Sequence, residues 1–383
     1  FENRGKAKSK LIIGYLSNDF RNHPVAHLMR SLFGLHNREE FEIFCYSYGK
    51  EDKSSYRKKI KADCDRFIDI RYMPHDAAAK KIYEDRVDIL VELMGYTTDS
   101  RLEICALRPA PVQASYLGYP GTTGAKYMDY IITDRIVTPE KDTCFYSEKP
   151  VWLPHCYQVN DHRQAIAGIE YTRADFGLPA DVFIFCSFNQ AYKIEPVIFD
   201  VWMNILRRVP QSILWLLEGG DAVRKNLLNE AVSRGIDAKR LIFSQRLPKQ
   251  KHLARQKLAD LILDTRIYNG HTTSSDALWA GVPLITLRGA HFPARVSASI
   301  LTAVGLPELI TDSLKEYGDL AVRLAENPDE LDALRQKLAE NRLKYPLFDT
   351  PRFVRNMENA YKEMWDIFAK GEVPRSIRVK ETF

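Results

Sequence analysis

Short apolar runs alternate with helix-length stretches along most of the chain. Leu11 to Leu16, Phe41 to Tyr46, Asp88 to Leu93, Val112 to Leu117 and Tyr130 to Thr133 are mostly apolar, with no polar face. Runs of that length and kind predict strands buried on both sides. Between the first two, Val25, Leu28, Met29, Leu32 and Phe33 recur at helical spacing. The second half repeats the grammar with Phe183 to Phe188, Ser212 to Leu217, Leu241 to Ser244, Leu261 to Asp264 and Pro283 to Leu287. Strand and helix in alternation imply parallel sheets covered by helices. Two such sets in sequence predict two Rossmann-like domains.

Two long helices are expected near the end, Pro328 to about Lys344 and Pro351 to about Lys370. The latter carries an apolar stripe of Phe353, Met357, Tyr361, Met364, Trp365 and Phe368, which must pack on something. The domain boundary is expected within Cys156 to Gly177, where a strand ending at Leu153-Pro154 gives way to polar sequence. The organisation read from this is a polar extension at 1–10, a first α/β half at 11–165 and a second at 166–345. A C-terminal helix and tail follow at 346–383. No repeat of 30 to 50 residues or low-complexity tract is visible.

Composition narrows the class. With 383 residues, 45% of them hydrophobic and 27% charged, the chain has the make-up of a folded protein with sizeable cores. The net charge of +5 is too weak to argue for nucleic acid, and none is expected as a partner. No run approaches the roughly 18 apolar residues of a membrane helix, so no membrane partner is expected either. The first ten residues are polar and basic, without a signal-peptide pattern, and the chain begins at Phe1, which suggests sequence upstream. Cys45, Cys64, Cys105, Cys144, Cys156 and Cys186 include no Cys-x-x-Cys spacing. Reduced, structural cysteines and a cytoplasmic location are expected.

Several chemistries lose support by absence. The chain has no Gly-x-Gly-x-x-Gly after a strand, no phosphate-binding Gly-x-x-x-x-Gly-Lys-[Ser/Thr], no His-Glu-x-x-His and no Gly-x-Ser-x-Gly. Asp63-Cys64-Asp65 has the form of a metal-binding Asp-x-Asp, but it precedes an apolar run instead of following one, and no metal is expected there.

In open parallel sheets ligands bind beyond the carboxyl ends of the strands, so the residues after each run carry the information. The strongest stretch is Asp264 to Asp276. A strand ends near Asp264, Gly270 permits a tight turn, and a helix from about Thr272 to Ala280 is closed by Gly281. Threonines at a helix start offer N–H groups and hydroxyls to a diphosphate, though an ordinary Thr N-cap would look the same. Gln190-Ala191-Tyr192-Lys193 follows the first strand of the second half, and Lys193 there can meet phosphate or simply be solvated. Lys249, His252 and Arg255 follow the strand at Leu241 to Ser244. In the first half, His23 lies in the loop after the first strand, ahead of Pro24. Leu93 to Thr97 and Leu117 to Gly124 are Gly-containing loops that let a ligand approach the backbone. Together these loops suit a nucleotide-sugar transferase with two facing Rossmann-like domains, in which cations and a helix start stabilise a diphosphate leaving group without a metal.

The same residues resemble the catalytic region of the O-linked N-acetylglucosamine transferase and SPINDLY family, over roughly Leu11 to Val373. The resemblance rests on ordered blocks. They include Asn22-His23-Pro24, Ala106-Leu107-Arg108-Pro109-Ala110-Pro111, Leu117-Gly118-Tyr119-Pro120-Gly121-Thr122 and Met128-Asp129-Tyr130. Tyr192-Lys193-Ile194 and Asn269-Gly270-His271-Thr272-Thr273 also match, and are like the N-acetylglucosamine branch. The form is bacterial-type, without the large insertion or the tetratricopeptide repeats of animal members.

The resemblance implies a GT-B fold with C-terminal helices and an inverting transferase needing no metal or other cofactor. The donor would be UDP-N-acetylglucosamine (UDP-GlcNAc) and the partner a protein or peptide acceptor bearing Ser or Thr, with an upstream repeat region outside this chain. By the same token Lys193 and His23 are catalytic, the latter as general base. Gln190, Lys193, Lys249, His252, Arg255, His271, Thr272, Thr273 and Asp276 hold UDP. Gly118, Tyr119, Pro120, Tyr268 and His271 line the sugar pocket, Tyr268 standing where animal members have a small Cys. The alternatives are a related enzyme using UDP-glucose or acting on Asn, and a UDP-binding scaffold.

Overall fold

The computed structural model describes residues 9–381, so all but the last two residues of the expected 1–10 extension lie outside it. Two units result: one holds the described residues up to Arg163 and those from Pro346 onward, the other runs from Gln164 to Tyr345.

The first unit contains β1 (Leu11–Ser17), β2 (Phe41–Ser47), β3 (Arg66–Asp69), β4 (Ile89–Glu92), β5 (Val112–Ser115), β6 (Tyr130–Asp134) and β7 (Lys149–Leu153). The second contains β8 (Phe183–Ser187), β9 (Ser212–Leu217), β10 (Leu241–Ser244), β11 (Leu261–Leu263), β12 (Leu284–Leu287) and β13 (Ile310–Thr311), and β14 (Ile377–Arg378) returns to the first. Among the described residues the first sheet runs β14-β7-β6-β5-β4-β1-β2-β3 and the second β10-β9-β8-β11-β12-β13. Every neighbouring pair is parallel, in register from Leu11 opposite Phe41 to Ser17 opposite Ser47 in the longest case. Both orders reverse at their first strand, next to β4 and β11 respectively. That reversal opens the ligand crevice of a doubly wound sheet.

Burial explains the apolar runs. Ile13, Tyr15, Leu16, Ile43, Leu90 and Val91 are inaccessible, as are Ile184, Phe185, Leu214 and Trp215. The strands that these residues build are covered on both faces, so no polar alternation survives in them. The expected strands are all present. Not expected from the sequence are β3, which is only half-buried, and the two-residue pairings of β13 and β14.

The C-terminal residues differ from their reading as a separate element. The helix Thr350–Ala369, capped by Asp349 on Arg352 N at 3.0 Å, packs into the first unit. Tyr361 Oη lies 2.8 Å from Tyr15 Oη, which is 3.0 Å from His36 Nε2. Glu358 accepts from Asn37 N at 2.7 Å, and β14 then pairs with β7. The apolar stripe thus covers β1 and its neighbours, contacts more than 300 residues apart in the chain.

Candidate functional site

In the second unit, the loops after β8 and β11 flank the point where the strand order reverses. Asp264 organises them. It is buried at the end of β11, and its Oδ1 accepts from Thr265 N at 2.8 Å, Gly270 N at 2.6 Å and Asn189 Nδ2 at 3.3 Å. Oδ2 accepts from Thr286 on β12 at 2.7 Å. Burial pushes its carboxyl up, and these bonds oppose the shift. Asn189 carries the tie onward by accepting from Thr273 Oγ1 at 2.6 Å. One carboxylate thereby joins β8, β11, β12 and the turn into the next helix.

That helix is Thr272–Ala280, ended by Gly281 in the left-handed conformation. A Cβ on Gly270 would stand 2.2 Å from Ser274 Oγ and 2.7 Å from Thr273 Oγ1, so only glycine lets the turn lie this close to the helix start. Lys193 reaches the same place from the loop after β8. Its Nζ donates to the Asn269 carbonyl at 2.8 Å, and burial lowers it to about 8 while the Asp264 charge holds it up. An ammonium, free N–H groups and a helix dipole converge on one spot, which makes it an anion site.

His271 precedes the helix. Burial pushes it well below its ordinary value, so it is neutral. A hydrogen bond to the Pro293 carbonyl places the proton on Nδ1. Its Nε2, buried and without a partner among the described residues, is therefore an acceptor. The Tyr268 ring stacks on this imidazole, with centroids 4.8 Å apart and planes at 15°.

Lys249, His252 and Arg255 share the helix Lys249–Gln256. Lys249 is ion-paired with Asp276, both nearly buried, and Gln164 Nε2 reaches the same carboxylate at 3.4 Å. Arg255 donates from Nε to His252 Nδ1 at 3.2 Å and from Nη1 to the Gln245 carbonyl at 2.5 Å, while Nη2 is buried without a partner among the described residues. Burial lowers His252 to about 3 and Arg255 to about 10. Gln190 stands at the start of the turn that carries Lys193. All the residues expected to hold UDP thus belong to the second unit.

His23 and the Gly118 to Pro120 loop belong to the first unit. His23 caps the helix Pro24–Met29 immediately after the loop from β1. Burial lowers it to about 4, and the Arg21 charge pushes the same way. After β5, a Cβ on Gly118 would lie 1.9 Å from the Leu93 carbonyl oxygen, and Tyr119 packs edge-on against Tyr96 at 5.6 Å. Leu117, at φ +67°, makes the bend that brings them there.

Four polar residues of these sites carried no role in the sequence reading. Asp19 contacts His23, Glu92 closes β4, Asp264 organises the second crevice and Asn189 ties it to the helix start. The readable signal for two of them was an acidic residue at the end of an otherwise apolar run, as in Val91-Glu92 and Leu263-Asp264. Asp63 and Asp65 are engaged otherwise: Asp63 pairs with Lys59, and Asp65 accepts from Ile43 N at 2.7 Å and Arg38 Nε at 3.1 Å.

Comparison with known proteins agrees with this architecture. The chain is 47% identical over 378 residues to a probable UDP-N-acetylglucosamine–peptide N-acetylglucosaminyltransferase, SEC, of Arabidopsis thaliana, covering 97% of this chain and 39% of that protein. It is 32% identical to the corresponding transferase of Caenorhabditis elegans, covering 94% of this chain and 41% of the relative. The chain thus spans about two fifths of the length of these curated relatives. Among solved structures, an O-GlcNAc transferase of Thermobaculum terrenum superposes with a TM-score of 0.89 at 31% identity, over 96% of this chain and 70% of that one. The two α/β units thus have the GT-B fold of that transferase. Anabaena HepE, solved with UDP and glucose, shares the fold at 10% identity, with a TM-score of 0.62 over 91% of this chain and 99% of its own. The profile of Glycosyl transferase family 41 matches residues 1–171 and 166–357. With nearly all of the sequence accounted for by that profile, the chain belongs to glycosyl transferase family 41.

Proposed function

We propose that the chain is the catalytic part of an inverting, metal-independent transferase that moves N-acetylglucosamine from UDP-GlcNAc to Ser or Thr hydroxyls of proteins. The observation that carries this reading is the convergence of Lys193, the Thr272 helix start and the acceptor nitrogen of His271 around the loop that Asp264 holds. The first two suit a diphosphate, and a buried acceptor suits a sugar hydroxyl or amide rather than a phosphate. Relatives named as peptide N-acetylglucosaminyltransferases support it.

In the reaction, the acceptor oxygen bonds to C1 of the sugar as the C1–O bond to the diphosphate breaks. His23 takes the hydroxyl proton, and the negative charge of the departing UDP develops against Lys193 and the helix start. Neutral His23 is in the form a base requires. Lys193 and the helix dipole supply the positive charge that a divalent cation would otherwise bring.

The remaining length of the curated relatives leaves room for the upstream repeat region, which would present acceptors. A cytoplasmic location fits the thiols, of which Cys45, Cys105, Cys156 and Cys186 are buried. Mass spectrometry of an acceptor protein incubated with UDP-GlcNAc and UDP-glucose in competition tests the reading. Addition of N-acetylhexosamine to Ser or Thr is expected. Addition of hexose, or modification of Asn, would replace it with one of the related activities, and UDP binding without transfer would leave a scaffold.

A further inference from the structure

Lys193 Nζ lies 4.1 Å from the centroid of the Tyr268 ring. The same ring stacks on His271, and Tyr192 meets it edge-on at 6.4 Å. Its backbone is tied down as well, since Thr265 Oγ1 donates to the Tyr268 carbonyl at 2.6 Å and Asn269 Nδ2 donates to the Thr265 carbonyl at 2.6 Å. The ammonium therefore rests on two supports from adjacent residues, the π face of Tyr268 and the carbonyl of Asn269.

An ammonium drawn out of water loses hydration and tends to shed its proton unless other groups replace that hydration. Among the groups around Lys193, the Asp264 carboxylate favours its charge. His271 is neutral, and the neighbouring Glu195 is ion-paired with Arg266 at 2.8 Å. The electron-rich face of Tyr268 adds to Asp264, because an aromatic quadrupole attracts a cation at this separation. Stacking on His271 keeps that face in place, so the ring is fixed on one side by an imidazole while it faces the cation.

We propose that Tyr268 is a positioning residue for Lys193, its ring holding the ammonium charged and parked at the Thr272 helix start until an anionic diphosphate takes it over. The proposal deepens the donor-site reading and rests on it for the identity of the anion. It separates the ring from the hydroxyl: only the aromatic face matters for Lys193. It also accounts for a bulky residue beside the sugar-lining His271, where a small one leaves more room.

Competitive acetylation of the ligand-free chain, with Lys193 followed by peptide mass spectrometry across pH, reads the protonation of this amine without any nucleotide. The wild-type midpoint should lie near 8. Tyr268→Phe should keep it, and Tyr268→Leu should move it down, raising the acidity constant roughly three- to tenfold. Tyr268→Met serves the same comparison if the leucine variant does not fold. An unmoved midpoint in a folded Leu or Met variant overturns the proposal, as does a Phe variant that shifts as far as Leu. UDP should protect Lys193 from acetylation in the wild type. If the midpoint shift appears and UDP protects nothing, the donor-site reading falls while the pairing of Tyr268 with Lys193 stands.

Discussion

Asp19 Oδ2 lies 3.1 Å from His23 Nδ1, at the end of the strand that begins the first crevice. Asp19 is itself held by its N–H donating to Ser17 Oγ at 2.9 Å and by Arg21 Nη2 at 3.1 Å. Burial raises its carboxyl to about 6, so at neutral pH it is ionised beside an uncharged imidazole. Nδ1 also lies 3.4 Å from Val25 N, which it caps; a proton on Nδ1 serves the carboxylate in place of that cap and leaves Nε2 as the basic nitrogen. With His23 as the proposed base, Asp19 would take the orienting role of an acid behind it.

Transfer should follow a bell-shaped pH dependence of kcat/KM. On the acid side, activity falls as pH drops through about 6 and Asp19 takes up a proton. On the alkaline side it falls as pH rises through about 8 and Lys193 loses one. His23, uncharged above about 4, adds no limb between them. Asp19→Asn should abolish the acid limb and lower kcat by up to roughly 10²–10⁴-fold, the full contribution of a general base. An unchanged acid limb in that variant would sink the assignment.

Lys193→Ala should cost about 2.7–4 kcal/mol of transition-state stabilisation, or roughly 10²–10³ in kcat, with thermal stability unchanged or slightly raised. The stability expectation follows from removing a cation whose burial is unfavourable. Steady-state kinetics beside a thermal melt decide it, and a rate near wild type refutes the role.

Glu92 is inaccessible, and its carboxylate accepts from Met94 N at 2.9 Å and Gly95 N at 2.7 Å. Burial still raises it to about 7, so the folded state holds a proton that the unfolded chain releases near 4.3. Stability is therefore lost as pH climbs from about 4 to 7, by at most roughly 4 kcal/mol at 1.36 kcal/mol per unit. Glu92→Gln should be stabilised at pH 8 and show no gain at pH 4, as read by urea denaturation. An equal effect at both pH values would contradict this.

Activity should survive EDTA. The charge that develops on the diphosphate has Lys193 and the Thr272 helix start to meet it. Inhibition by EDTA that manganese or magnesium reverses would overturn metal independence.

Gly118→Ala should destabilise the first unit by about 1–3 kcal/mol and weaken donor use, since its Cβ would meet the Leu93 carbonyl at 1.9 Å and force the Tyr119 loop outward. A melting temperature equal to wild type would show that the loop yields without strain.

The fold class was legible because strands buried on both faces leave uninterrupted apolar runs, and helix ends such as Thr272 and Gly281 are marked by local chemistry. The loop positions of Lys193, His271 and His23 followed from the same punctuation, since crevice residues come directly after strands. Strand order was not legible. Alternation says that β1 and β4 exist, and only tertiary packing makes them neighbours, so that Asp19 and Glu92 come to share a crevice. Lys193 meets Asn269 and Tyr268 across about 75 residues, and Tyr15 meets Tyr361 across nearly 350. Those contacts depend on which surfaces exclude water together, a property of the whole packed chain. The periodicity of a segment records that it must be covered, and the tertiary structure alone selects what covers it.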